Sequence, residues 1–100
     1  MFLPSSDIQK IQYLMQDKPV IRLYLFGSYA RGEADSKSDI DLLAEFDYDE
    51  LNKLYDYFDI KFAVEDQLQK KVDLVSAKMV NKSDMSSLIE KDKTLIYERG

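Results

Sequence analysis

Apolar positions along the chain alternate between a helical and an extended period, and the changes of period divide the sequence into elements. The pattern predicts helices at 7–17, 28–32 and 83–91, and a longer helix that follows Asp47 and ends near Gln69. Runs rich in β-branched and aromatic residues predict strands at 20–26, 39–46 and 71–76, with a short closing strand at 94–97. The predicted order is α-β-α-β-α-β-α, an α/β (α+β) layer arrangement.

The first predicted strand is apolar on both of its faces. One face is formed by Ile21, Leu23 and Leu25, and the other by Val20, Tyr24 and Phe26. Strands of this kind are typical of the interior of a sheet that other layers cover on both sides. We therefore expect this strand to be central.

The second strand and the long helix each carry one predicted core face. In the strand this face consists of Ile40, Leu42, Ala44 and Phe46, while Asp39, Asp41, Leu43 and Glu45 face the other way. In the helix it consists of Leu51, Leu54, Tyr55, Phe58 and Phe62.

Composition narrows the chemistry that is open to this protein. Its 100 residues, of which 45% are hydrophobic, predict a single domain over 1–100. The chain has no cysteine and no histidine, which excludes disulfides, thiol nucleophiles and histidine bases and leaves carboxylates as the main catalytic groups. The net charge of −5 disfavours a nucleic-acid partner. Since no bilayer-length apolar run or signal pattern is present, a cytoplasmic protein without membrane contact is expected.

Two carboxylates alternate at the start of the second predicted strand. Asp39 and Asp41 project from one face, with Cα atoms roughly 6.5–7 Å apart at about 3.3 Å rise per residue. Carboxylates held in this way can share hard divalent cations, and Mg²⁺ takes its other ligands from phosphates and water. An isolated pair of this kind is better explained as the hydrated face of a strand.

Gly27 and Ser28 follow the first predicted strand directly. Glycine permits a tight turn and a close approach of the backbone to a ligand. The N–H groups that open the next helix, together with the Ser28 hydroxyl, can hold phosphate oxygens. The alternative is an ordinary strand-to-helix turn that Ser28 caps.

Taken together, these two features resemble a known family. The chain reads Gly27-Ser28, then ten residues, then Asp39-Ile40-Asp41, within the strings LFGSYARG and SDIDL. This is similar to the G-S-x10-D-x-D signature of the polymerase-β-like nucleotidyltransferase superfamily, and in particular to its minimal nucleotidyltransferases. The resemblance covers nearly the whole chain and implies the nucleotidyltransferase fold, a small mixed sheet of three to four strands packed with helices.

The resemblance also implies roles for residues outside the signature. The family has a third carboxylate on a later strand, and Asp73 in KVDLV holds the matching position. Without the resemblance, Asp73 is explained as a charge at a strand edge. Arg31 either contacts phosphate or anchors its loop by pairing with an acid of the chain. The implied catalytic and metal-binding residues are Asp39, Asp41 and Asp73, and the implied nucleotide-binding residues are Gly27, Ser28 and Arg31.

By the same resemblance, the three aspartates coordinate two Mg²⁺ ions, or Mn²⁺, and ATP is the substrate. The acceptor hydroxyl, which Asp73 helps to activate, attacks the α-phosphorus, and pyrophosphate leaves. Three converging carboxylates repel one another without cations. A divalent cation is therefore expected to raise the melting temperature.

The resemblance further implies a partner protein. Minimal nucleotidyltransferases of this kind are commonly paired with a small helical HEPN ribonuclease in a toxin–antitoxin module, in which the nucleotidyltransferase is the antitoxin. The implied function is transfer of AMP to a tyrosine of the HEPN partner. Two alternatives stay open: a non-catalytic antitoxin that neutralises a HEPN partner by binding, and a nucleotidyltransferase that acts on a small molecule or an RNA end. The acidic net charge counts against the RNA end.

Overall fold

The computed structural model describes residues 1–80 and 86–100. The helices in this part of the chain are α1 (Ser5–Met15), α2 (Ser28–Arg31), α3 (Lys53–Leu68), α4 (Ala77–Val80) and α5 (Ser86–Asp92). The strands are β1 (Val20–Phe26), β2 (Ile40–Phe46), β3 (Val72–Ser76) and β4 (Thr94–Glu98). The predicted α+β class is confirmed.

The four strands form one mixed sheet in the order β3-β2-β1-β4. Strand β1 is antiparallel to both β2 and β4, whereas β2 and β3 are parallel. A parallel pair needs a long crossover connection, which α3 provides. The predicted central position of β1 is confirmed, and Arg22 reinforces it by pairing with Glu45 on β2 and Glu98 on β4, at 2.7 Å each.

Apolar side chains cover the sheet on both faces. The larger cluster joins one sheet face to α1 and α3 through residues such as Ile11, Met15, Ile60 and Val64. The smaller cluster lies on the other face and consists of Phe26, Leu43, Val80 and Ile89. Alternate residues of β2 enter the two clusters, as the period of a strand requires. The predicted core face of β2 is confirmed, since its four residues are at most 5% exposed.

The prediction of which β1 side chains share a face is wrong at the start of the strand. The pairing with β2 shifts between Val20 and Arg22, so that Val20 enters the larger cluster with Leu23 and Leu25. Ile21 is left 36% exposed. An extra residue in one strand moves the side chains before it to the opposite face, which alternation alone does not reveal.

The start of α3 lies later than the sequence pattern predicts. The helix begins at Lys53, and the Asn52 N–H donates to the Asp56 carboxylate at 2.7 Å. Asp47 instead belongs to a turn, in which its carboxylate accepts the Asp49 N–H at 3.2 Å. The same local hydrogen bonding serves turns and helix starts, so the two are easily confused in a sequence.

The predicted core face of α3 is also wrong. The helix packs on the sheet through Ile60, Val64 and Leu68, which are at most 9% exposed. Four of the five residues expected in the core are exposed instead, namely Leu54, Tyr55, Phe58 and Phe62. The helix carries apolar residues on more than one side, so that period alone does not select the buried side.

Smaller differences concern the other helices. Helix α1 begins two residues earlier than expected, at Ser5. The short α4 has no counterpart among the predicted elements. The last predicted helix, 83–91, corresponds to α5, and its positions 83–85 lie outside the described residues. None of the helices in the described ranges is both long and apolar enough to cross a bilayer.

Candidate active site

The turn between β1 and α2 has a backbone conformation that suits glycine. Gly27 has φ 75° and ψ −154°, in a region that residues with a Cβ rarely adopt. Its carbonyl accepts the N–H groups of Ala30 and Arg31, at 3.1 Å each. The N–H groups of the first residues of a helix have no partner inside the helix, and here they belong to Ser28 and Tyr29.

A second constraint on Gly27 comes from the neighbouring strand. A Cβ added to Gly27 would lie 2.1 Å from the Oδ2 atom of Asp41. The Asp41 carboxylate therefore lies directly against the backbone of this turn. Only a residue without a side chain permits that approach, so the Gly-Ser turn and the Asp-x-Asp strand form one site.

The three predicted carboxylates are brought to the same end of the sheet. Asp41 pairs with Phe26 on β1 in the antiparallel register and with Asp73 on β3 in the parallel register. Asp39 stands two residues before Asp41, just outside β2, and lines the same groove as Asp73. The charges of Asp73 and Asp39 both act on Asp41.

The environment of Asp41 disfavours its charged form. Partial burial, followed by repulsion from Asp73 and from Asp39, raises the pKa of Asp41 to about 6, and Arg31 opposes this rise. Asp39 and Asp73 are exposed to solvent. A cation bound beside Asp41 would oppose this rise, because a nearby opposite charge favours the ionised carboxylate.

Hard divalent cations fit this set of donors. All three residues offer carboxylate oxygens, and Mg²⁺ and Mn²⁺ prefer such ligands. Among residues 1–80 and 86–100, however, no group of three acidic side chains already stands together as a ready metal site. Asp73 lies opposite Asp41 in the parallel register and Asp39 is exposed, so joint cation binding by all three carboxylates stays a prediction.

Arg31 is paired with acids of the chain itself. Its Nε atom lies 3.1 Å from Glu33 and its Nη1 atom 2.6 Å from Asp92 at the end of α5. The guanidinium thus joins the loop after α2 to the last helix, which corresponds to the anchoring alternative. Its charge still reaches Asp41. Its predicted contact with nucleotide stays a prediction.

The sequence pattern did not identify the lysines beside the site. An open groove of ≈ 680 Å³ is lined by Asp39 and Asp73 together with Lys61, Glu65, Gln69, Lys70, Lys71 and Val72. Glu65 accepts the Val72 N–H at 2.9 Å and the Lys61 ammonium at 3.0 Å. Two signals were present in the sequence, an acid and a lysine four residues apart on one helix and a Lys-Lys pair directly before the strand of Asp73.

A second groove lies at the opposite end of the sheet. It has ≈ 670 Å³ and is mainly apolar, with Phe46, Leu54 and Val75 among its lining residues. Phe46 and Val75 stand near the ends of β2 and β3 that are remote from Asp41 and Asp73. This groove holds none of the predicted site residues.

Comparison with known proteins identifies the family. The family model described as "Polymerase beta, Nucleotidyltransferase" matches residues 9–100. "Putative protein adenylyltransferase MJ1379" of Methanocaldococcus jannaschii is 36% identical over 91 residues, which cover 90% of this chain and 89% of that protein. A second protein of that organism, "Putative protein adenylyltransferase MJ0435", is 40% identical over 68 residues, which cover 68% of this chain and 71% of its own.

Solved structures share the fold. One titled "Structure of putative minimal nucleotidyltransferase" has a TM-score of 0.74 at 30% identity and covers 90% of this chain and 89% of its own. A toxin–antitoxin with AMP-PNP has a TM-score of 0.67 at 19% identity, and the match covers 96% of this chain and 74% of that one. A tri-AMPylated Shewanella oneidensis HEPN toxin in complex with MNT antitoxin has a TM-score of 0.66 at 18% identity. The match covers 94% of this chain and 71% of that one.

The sequence signature, the sheet that carries it and the matched family model agree with one another. The chain belongs to the polymerase beta nucleotidyltransferase family and is a nucleotidyltransferase.

Proposed function

We propose that this chain transfers AMP from magnesium-bound ATP to a tyrosine hydroxyl of a HEPN ribonuclease toxin and acts as its antitoxin. The observation that carries the proposal is the placement of Asp41 between the Gly27 turn and Asp73 on adjacent strands. This geometry brings the Gly27-Ser28 turn and the carboxylates together at one end of the sheet, as a site for metal-bound ATP requires. Relatives named as putative protein adenylyltransferases, and a structural neighbour that holds an AMPylated HEPN toxin, support the choice of acceptor.

In this proposal the residues Asp39, Asp41 and Asp73 hold two Mg²⁺ ions, which when bound neutralise the charge that develops on the phosphates. The turn at Gly27 and Ser28 receives the triphosphate through backbone N–H groups and the Ser28 hydroxyl. Asp41 lies between the turn and β3, so that a triphosphate held at the turn would bring its α-phosphorus towards this carboxylate. The closeness of Asp41 to Gly27 supports this arrangement, because phosphates bound at the turn would lie beside a metal-binding carboxylate.

The acceptor oxygen forms a bond to the α-phosphorus as the bond from that phosphorus to the pyrophosphate oxygen breaks. The Asp73 carboxylate accepts the hydroxyl proton and passes it to solvent, to which Asp73 is exposed. Most of the catalytic effect then comes from orientation and charge neutralisation rather than from covalent chemistry.

One observation also supports a second candidate, neutralisation of the toxin by binding alone. The exposed side of α3 presents Leu54, Tyr55, Phe58 and Phe62, with exposed fractions of 75%, 69%, 45% and 55%. Contiguous exposed apolar side chains are typical of protein-binding surfaces. A surface of this kind serves an enzyme that docks on its protein substrate as well as a non-catalytic antitoxin.

The deciding experiment incubates the protein with radiolabelled ATP, Mg²⁺, the product of the adjacent gene and a short single-stranded RNA. AMP transfer predicts label on the partner, loss of that label when its tyrosine is replaced by phenylalanine, and loss of label with Asp41→Asn. Asp66→Asn, an exposed substitution of the same chemistry on α3, should behave as wild type. A stable complex without label would support neutralisation by binding, and label on RNA would support the RNA alternative.

A further inference from the structure

The sheet order separates the two sides of the candidate site. Asp41 on β2 has the Gly27 turn of β1 on one side and Asp73 of β3 on the other. In an in-line displacement, the attacking oxygen and the leaving group lie on opposite sides of the phosphorus. If the triphosphate lies at Gly27 and Ser28, as the proposed function requires, the acceptor must enter across β3.

The surface on that side is the groove that Asp39 and Asp73 share with three lysines. Lys61 forms an ion pair with Glu65, and Glu65 also accepts the Val72 N–H. The negative charge of Glu65 is therefore already paired. The backbone N–H of Val72 and the Lys61 ammonium hold the pKa of Glu65 below its usual range, so that Glu65 stays ionised and paired.

The remaining two lysines directly precede β3, and Lys70 also contacts α2. Lys70 lies over the Tyr29 ring, with its Nζ atom 5.9 Å from the ring centre. The Lys71 carbonyl accepts the Ile40 N–H at 2.9 Å, which fixes this residue beside β2. At about 3.3 Å per residue, the Cα of Lys71 lies roughly 7 Å from that of Asp73.

The balance of charged side chains in the groove favours an anionic acceptor. Its lining contains three ammonium groups and three carboxylates. Glu65 is matched by Lys61, and Asp39 and Asp73 are the residues assigned to the cations. Once those two carboxylates are neutralised, the positive charges of Lys70 and Lys71 are uncompensated.

We propose that Lys70 and Lys71 select the acceptor, and that the modified hydroxyl belongs to a protein segment with Asp or Glu within about three residues of it. This inference rests on the proposed function, because that function sets the direction from which the acceptor enters. A protein segment fits better than a nucleic acid. The patch is two lysines wide on a chain of net charge −5, whereas nucleic-acid surfaces carry an extended basic stripe.

The test compares synthetic acceptors. Two peptides carry one tyrosine between Asp and Glu residues or between Asn and Gln residues, and a short single-stranded RNA is the third acceptor. Each is offered with magnesium ATP to wild type, to Lys70→Gln/Lys71→Gln, and to Lys10→Gln/Lys78→Gln. The control variant also removes two positive charges, but from α1 and from α4, and Lys78 of α4 lines the second, apolar groove.

Wild type and the control should show a KM for the acidic peptide roughly three- to tenfold below that for the neutral peptide, because exposed ion pairs contribute little each. The Lys70→Gln/Lys71→Gln variant should lose this difference while its KM for ATP stays within about twofold. The difference should also shrink as salt is added. A Lys70→Glu/Lys71→Glu variant should prefer a peptide flanked by lysines.

Several results would overturn the inference. These are equal KM values for the two peptides in wild type, an equal effect of the control variant, preferential labelling of the RNA, or a KM for ATP that rises with the lysine changes. The last result would assign the lysines to the triphosphate.

A binding measurement separates this inference from the proposed function. Fluorescence anisotropy of both labelled peptides is recorded with a non-hydrolysable ATP analogue and Mg²⁺. If no acceptor is labelled but the acidic peptide binds more tightly and through Lys70 and Lys71, the proposed transfer fails, whereas the selection of an acidic protein segment by the two lysines stands. If neither transfer nor binding distinguishes the peptides, the inference is wrong.

Discussion

At the scale of single residues, the site depends on one close contact. The Asp41 carboxylate and the Gly27 backbone approach so closely that no side chain fits at position 27. The glycine is needed twice, for this approach and for its positive φ of 75°. The signature residue Gly27 therefore determines where the carboxylate lies as well as how the chain turns.

Gly27→Ala should consequently impair both stability and transfer. The new Cβ would displace Asp41, and the backbone strain alone costs on the order of 1–3 kcal/mol. Urea denaturation measures the loss of stability, and the labelled transfer assay measures the loss of activity. Gly100→Ala is the matched control, because a Cβ there meets nothing within 4 Å. Equal behaviour of the two variants would contradict the contact with Asp41.

Asp41→Asn should abolish transfer and raise the melting temperature of the metal-free protein. The substitution removes a partly buried charge that Asp73 and Asp39 repel. Mg²⁺ or Mn²⁺ should raise the melting temperature of wild type, because a ligand that binds only the folded state stabilises it. That rise should be much smaller in Asp41→Asn.

Thermal melts with and without the metal, followed by circular dichroism, make this measurement. Asp66→Asn should show the same metal-induced rise as wild type. Full transfer activity in Asp41→Asn would contradict the assignment of Asp41 as a metal ligand.

At the scale of elements, α3 has two different apolar sides. One side packs on the sheet through Ile60 and Val64, which are fully buried. On the other, the rings of Phe58 and Phe62 stack with centres 5.7 Å apart, although both residues are about half exposed. The helix thus joins the core to a surface that is free to contact another protein.

These two sides should respond differently to truncation. Ile60→Ala should lower the free energy of unfolding by about 2–5 kcal/mol, since it leaves a cavity in the core. Phe62→Ala should change it by less than about 1 kcal/mol, because most of the side chain is already hydrated. Urea unfolding of both variants tests the assignment. A larger loss for Phe62→Ala would mean that the helix packs by its other side.

At the scale of the whole molecule, an ion pair ties the end of the chain to its middle. Arg99, directly after β4, donates to Asp47 at 2.7 Å and to the Lys18 carbonyl at 3.2 Å. Its own N–H donates to the Ile21 carbonyl at 2.8 Å. Segments far apart in sequence are thereby held at the end of the sheet that lies opposite the active site.

This pairing predicts a particular pH dependence of stability. The hydrogen bond from Arg99, assisted by the N–H groups of Asp49 and Glu50, holds the pKa of Asp47 below its usual range. A lowered folded-state pKa gives stability that is fully present above the unfolded value of about 3.9 and is lost as pH falls through the folded value.

Asp47→Asn should therefore lower the melting temperature at pH 7, and its difference from wild type should shrink towards pH 3. Thermal melts between pH 7 and pH 3 test this. The neighbouring exposed Asp49→Asn should leave the melting temperature nearly unchanged across the range. A difference that grows as the pH falls would contradict the sign of the Asp47 shift.

The features that the sequence determined by itself are those that depend on neighbours along the chain. The central strand and the Gly27-Ser28 turn follow from the order of residues, and the structure contains both. The strand predicted at 39–46 begins one residue later, at Ile40, so that Asp39 directly precedes β2. Alternation and turn chemistry are local, because they arise from the backbone conformations of a few adjacent residues.

Tertiary structure alone decided the features that join distant segments. The parallel register set Asp73 opposite Asp41, and packing chose which side of α3 entered the core. The same contacts paired Arg31 with Asp92 and placed Lys70 at the groove. Registers, buried faces and ion pairs depend on which elements pack against each other. The free energy of this packing comes from contacts throughout the molecule, so that no short segment of sequence determines it.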